Sequence, residues 1–115
     1  MNLDLPSDCI IEFVLNSNSS TSNNAVYLKF DNASKFVGKT GSSGRTIMVY
    51  DGSNHELNTL PVSTDTTYIV EWLGNVCTFK SGTDSITFNM ANPTLLELIN
   101  ATSNGTIKNI KIKPL

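Results

Sequence analysis

Tyr50-Asp51-Gly52-Ser53-Asn54-His55 gathers an aromatic ring, a carboxylate, an amide and an imidazole around a turn. Those groups suit sugar recognition, in which flat aromatic faces cover apolar C–H patches and polar groups hydrogen-bond hydroxyls. Tyr50, Asp51, Asn54 and His55 are therefore candidate ligand-binding residues. Trp72, the one tryptophan, joins them as a flat platform, although its place in a strongly apolar strand equally suits the core. The same hexapeptide also reads as an ordinary polar hairpin turn, with His55 an exposed turn histidine.

Bond-breaking chemistry has less to work with. His55 is the only histidine, and no nucleophile-elbow sequence supplies a serine to it. Glycoside hydrolysis needs two carboxylates roughly 5–10 Å apart. Asp8 and Glu12, four apart on an expected strand, share a face but stand ~13 Å apart. One His and two distant Cys fall short of a transition-metal site. Asp51, Asn54 and Glu56 offer oxygens without the dense ligand pattern of a calcium loop. Gly38-Lys39-Thr40 ends like a phosphate loop, but Ala33 stands where its first glycine belongs and no helix follows. We expect no enzyme activity, no catalytic residue, no metal and no cofactor.

Cys9 and Cys77 both fall in expected strands. A disulfide would need those strands to face each other; otherwise both are buried free thiols behaving as small hydrophobes, the reading favoured here. Met1 to Ser7 has neither a basic start nor an apolar run, which predicts no signal peptide. An oxidising compartment therefore lacks support.

The elements that must position these groups read as short strands: 9–15, 25–30, 45–50, 67–73, 76–80, 85–90, 95–99 and 106–112. Turn signals separate several of them, Asp51-Gly52, Gly74-Asn75 and Ser81-Gly82 among them. Thr94 to Asn100 could pass for a helix, but it is too short to be stable alone. Lys108, Lys111 and Lys113 interleave with Ile107, Ile110 and Ile112, as on a sheet with one wet face. Residues 16–24 and 38–44 are expected loops. Eight to ten strands at about ten-residue intervals, with no βαβ rhythm, predict an all-β antiparallel β-sandwich of jelly-roll type spanning 1–115 as one domain.

Thr67-Tyr68-Ile69-Val70-Glu71-Trp72-Leu73-Gly74-Asn75-Val76-Cys77-Thr78-Phe79-Lys80-Ser81-Gly82 resembles a hairpin of the concanavalin A-like lectin/glucanase superfamily. In that family a Tyr-x-Ile-Glu-Trp strand leads through a tight turn. Lys80-Ser81-Gly82 departs from the apolar-Asp-Gly ending of the family's second strand. Gly105 to Ile112 is similar to the family's closing strand, and Asp8 to Phe13 to an early core strand. The resemblance implies a jelly-roll sandwich and glycan recognition. The Glu-x-Asp-x-Glu strand of the family's hydrolases is missing.

Composition sets the remaining bounds. The formal charge is −2, from 8 basic and 10 acidic residues, which speaks against an electrostatic nucleic-acid binder. No apolar run reaches the ~18 residues of a helical membrane span. The chain holds 14 Asn, 13 Ser and 13 Thr against 16% charged residues. That surface chemistry resembles domains of phage tail or tail-fibre proteins; AT-rich coding would produce a similar bias. The expected function is a non-catalytic carbohydrate-binding and host-attachment module on a virion or cell surface. Its expected partner is a cell-surface glycan or polysaccharide, in a homotrimer or larger assembly, with no nucleic acid and no membrane insertion. The alternative is a purely structural virion or surface-assembly protein that contacts only protein.

Overall fold

The computed structural model describes residues 2–17, 26–32, 34–39, 47–57, 65–100 and 105–115. Among these, eleven strands form in chain order: β1 (Asn2–Asp4), β2 (Cys9–Ser17), β3 (Val26–Phe30), β4 (Phe36–Lys39), β5 (Met48–Tyr50), β6 (Asn54–Glu56), β7 (Thr66–Leu73), β8 (Val76–Ser81), β9 (Asp84–Asn89), β10 (Leu95–Asn100) and β11 (Gly105–Pro114). They make two antiparallel sheets, β1-β10-β3-β4-β5-β6 and β11-β2-β7-β8-β9. The expected sandwich is what forms. Three strands that the turn spacing does not single out, β1, β4 and β6, are only three or four residues long. Of the expected loops 16–24 and 38–44, residues 18–24 and 40–44 lie outside the described residues, and the described ends belong to strands, Asn16 and Ser17 to β2 and Gly38 and Lys39 to β4.

Period-two alternation fills the space between the sheets. Ile11, Val70, Phe79 and Ile86 are successive cross-strand partners, with Ile112 opposite Ile11, so one apolar row crosses the five-stranded sheet. The next row runs Cys9, Trp72, Cys77, Phe88. Leu28, Phe30, Val37, Val49 and Leu96 meet these rows from the other sheet. Phe30 presents its edge to Trp72 at 5.0 Å between ring centroids and 81° between planes. Edge-to-face pairs of this kind add about 0.5–1.5 kcal/mol beyond area burial.

The row geometry decides the cysteines. Cys9 and Cys77 flank Trp72 in the same sheet, with β7 between them. Two strand spacings separate them by ~10 Å, beyond the ~7 Å Cα limit for a bridge. Both are buried free thiols.

Two local devices shape the strands. Gly74 and Asn75 both adopt left-handed backbone, φ 55° and 63°, in the two-residue β7–β8 hairpin. That geometry matches strand twist and needs residues that tolerate positive φ. In β11 the register shifts between Lys108 and Lys111, so Asn109 and Ile110 together oppose Phe13. Asn109 takes φ 55° and absorbs the extra residue. Ile107 and Ile110, an odd three apart, thereby both face the core. The simple alternation expected for this segment holds only on either side of that bulge.

Candidate functional site

In β3 the alternation that sends Leu28 and Phe30 into the core turns Tyr27 and Lys29 outward. In β4, Val37 points in and Phe36 out; in β5, Val49 points in and Tyr50 out. Phe36 is the direct cross-strand partner of Tyr50 and also of Lys29. Tyr27 sits diagonally from Phe36, opposite Gly38. The three rings follow one another across the outer face of the six-stranded sheet. Tyr27 and Phe36 are 5.2 Å apart and tilted by 55°, and Phe36 and Tyr50 are 5.4 Å apart and stacked at 20°.

The β3–β4 turn builds the rim above these rings. Asp31 and Asn32 both adopt left-handed backbone, φ 59° and 50°, which Asp and Asn tolerate better than most residues. The Phe30 amide donates to the Lys35 carbonyl at 2.9 Å and closes the turn. The Asp31 carboxylate anchors it from below, accepting from the Thr94 amide at 2.7 Å, the Thr94 hydroxyl at 3.0 Å and the Leu95 amide at 3.0 Å. Asn32, Ser34 and Lys35 are thereby held beside the rings. Together with Tyr27, Lys29, Phe36 and Tyr50 they line a concavity of about 380 Å³. That volume lies at the lower end of the ~300–1,000 Å³ usual for small-ligand sites.

The pleat splits the sequence-predicted residues. Tyr50 is in the concavity. Asn54, its partner on β6, is exposed on the same outer face. His55 is neither exposed nor in the turn. It belongs to β6, points between the sheets, and lies flat on Phe88 of β9 with centroids 3.6 Å apart and planes 3° apart. The Asp51 carboxylate is engaged locally, 2.9 Å from His55 Nε2 and accepting from the Ser53 amide at 3.2 Å. Trp72 is 0% exposed. A ring sealed on both faces cannot serve as a ligand platform, so its alternative role in the core is the one it takes. Tyr68 is likewise in the core, where burial pushes its hydroxyl up to about 12.

Tyr27, Lys29, Asn32, Ser34, Lys35 and Phe36 are lining residues that the turn hexapeptide does not announce. A signal for two of them exists: in Tyr27-Leu28-Lys29-Phe30 the odd positions must leave the core if the even ones enter it. Phe36 gave no comparable signal, because β4 is too short to declare itself.

Charge distinguishes this concavity from a second one on the opposite sheet. There, Ile10, Glu12, Lys111 and Lys113 surround about 170 Å³, and Glu12 pairs with Lys111 at 3.5 Å. In the aromatic concavity two ammonium groups, Lys29 and Lys35, have no carboxylate among the lining residues. Neither forms an ion pair among the described residues.

Two packed antiparallel sheets with this strand arrangement form a galectin-like jelly-roll sandwich. Among solved structures, chicken galectin 2 matches with a TM-score of 0.64 over 96% of this chain and 94% of that one, at 11% sequence identity. The likeness is one of fold. Neither a family model nor a curated protein sequence matches the chain.

Proposed function

We propose that this chain is a non-catalytic glycan-binding module whose ligand lies on Tyr27, Phe36 and Tyr50. The observation that carries the reading is the run of three half-buried rings on one outward sheet face, opening into a concavity rimmed by amide, hydroxyl and ammonium groups. Rings present the flat apolar surface that a pyranose C–H face covers. Asn32 and Ser34 supply directional hydrogen bonds beside them. The jelly-roll fold, shared with a galectin, is consistent with this role. A setting on a virion or cell surface, where such a module would serve attachment, rests on the Asn-, Ser- and Thr-rich composition.

A glycan array followed by calorimetric titration of the best hit tests the reading. Tyr50→Ala should weaken binding by about 30-fold, the loss expected when an anchoring ring worth ~2 kcal/mol is removed. His55→Ala, on the inner side of the sheet edge, should leave affinity unchanged. Silence on the array together with concentration-dependent self-association would favour the structural alternative, a protein that contacts only protein.

A further inference from the structure

We infer that the ligand of the aromatic concavity is an acidic saccharide, one bearing a carboxylate or sulfate; this rests on the glycan-binding reading and adds the charge class to it. Lys29 leaves β3 on the same face as Tyr27, and Lys35 ends the β3–β4 turn beside Phe36, so two ammonium groups border one set of rings. Both are half-buried. Neither is ion-paired with a described residue, whereas three of the four lysines on the opposite sheet, Lys80, Lys108 and Lys111, each face a carboxylate within 4.0 Å. The nearest acidic residue in register is Glu97, the β10 partner of Lys29, on the far side of Lys29 from Phe36.

A neutral sugar would use the rings and the amide but leave both ammonium groups without an anion on the ring side. A sugar stacked on Phe36 and Tyr50 with an anionic substituent toward β3 engages all of them. Charge-assisted hydrogen bonds are roughly twice as strong as neutral ones. The chain as a whole carries a net charge of −2, so general attraction between protein and anion does not account for such a preference. It must come from these two side chains.

The test is an array of uronic acid-, sialic acid- and sulfate-bearing oligosaccharides, each printed beside its neutral parent, with titration of the best pair. The acidic member should bind at least ~10-fold more tightly than its parent, and the margin should shrink as salt rises. The carboxylated and sulfated arms show which anion is preferred. The Lys29→Gln, Lys35→Gln double variant should bind acidic and neutral members alike, with an unchanged melting temperature. Glu97→Gln should widen the preference. Equal binding of acidic and neutral members by the unaltered chain overturns this inference and leaves the glycan-binding reading standing. A preference that survives in the double variant places the anion elsewhere and also overturns it. Binding to nothing on the array removes both.

Discussion

The imidazole of His55 lies on the ring of Phe88 with 3.6 Å between centroids, joining the edge strands of the two sheets. This stack closes one side of the sandwich, where β6 and β9 are the edge strands among the described residues. A residue that looks like site chemistry in the sequence is thereby committed to holding the layers together. We expect His55→Ala and Phe88→Ala each to lower the urea midpoint. A double-mutant cycle should return a coupling of about 0.5–1.5 kcal/mol, the range for stacked ring pairs. A coupling near zero would mean that the two rings merely share a neighbourhood.

Asp8 predicts an acid limb. Its carboxylate accepts from the Gly74 amide at 3.0 Å and from Asn92 Nδ2 at 2.8 Å, and these bonds hold it below the usual carboxylate range, Gly74 contributing most. Asn92 also donates to the Ser7 carbonyl and exchanges hydrogen bonds with Asn75 at 2.9 and 3.0 Å. The folded state thus favours the ionised form. The stabilisation is fully present above the unfolded value of ~3.9 and fades as pH falls through the lower folded value. Asp8→Ala should therefore be less stable than the unaltered chain at pH 6, with the gap narrowing toward pH 2. Denaturant titrations at the two pH values measure it, and a gap independent of pH would contradict the assignment.

At the alkaline end the buried thiol and phenol act in the opposite direction. Burial pushes Cys77 and Tyr68 each up to about 12, so the folded state favours the protonated forms. Their contribution is intact below the unfolded values of ~8.5 and ~10 and is lost as pH rises from there toward about 12. Cys77 should resist alkylation at pH 8 in the native protein and react on denaturation, and so should Cys9. Reducing agent should leave the melting temperature unchanged. Rapid native-state labelling of either thiol would show that the Cys9-Trp72-Cys77 row opens readily.

Asn109 carries the bulge that keeps Ile107, Ile110 and Ile112 on the core side of β11. Its φ of 55° costs a β-branched residue far more than it costs Asn or Gly. Asn109→Val should destabilise by about 1–2 kcal/mol, while Asn109→Gly should fall within about 0.5 kcal/mol of the unaltered chain. Equal stability of the two variants would mean that the left-handed conformation is not required there.

The sole tryptophan offers a simple readout of how the site is separated from the core. Trp72 is fully buried against Phe30, so its emission should be blue-shifted and should not respond when a saccharide fills the Tyr27–Phe36–Tyr50 concavity. A ligand-induced shift in Trp72 emission would place binding, or a coupled movement, in the core.

The local grammar of this protein is legible in its residues alone. The apolar, β-branched and aromatic runs Cys9 to Leu15 and Thr67 to Leu73 announced strands, and Gly74-Asn75 announced a turn, because strand propensity and turn chemistry depend only on neighbours along the chain. Tertiary structure decided which sheet each strand joined, and with it the meaning of the chemical residues. The strands β1, β4 and β6 exist only as partners of others, since three or four residues cannot hold a strand alone. Tyr50 and His55 are five residues apart, yet the pleat sends one to the outer face and the other between the sheets. Tyr27, Phe36 and Tyr50 are scattered in sequence, yet pairing across three strands makes them one surface. Burial is settled by long-range pairing, so a local pattern can list candidate rings and charges without saying which of them meet.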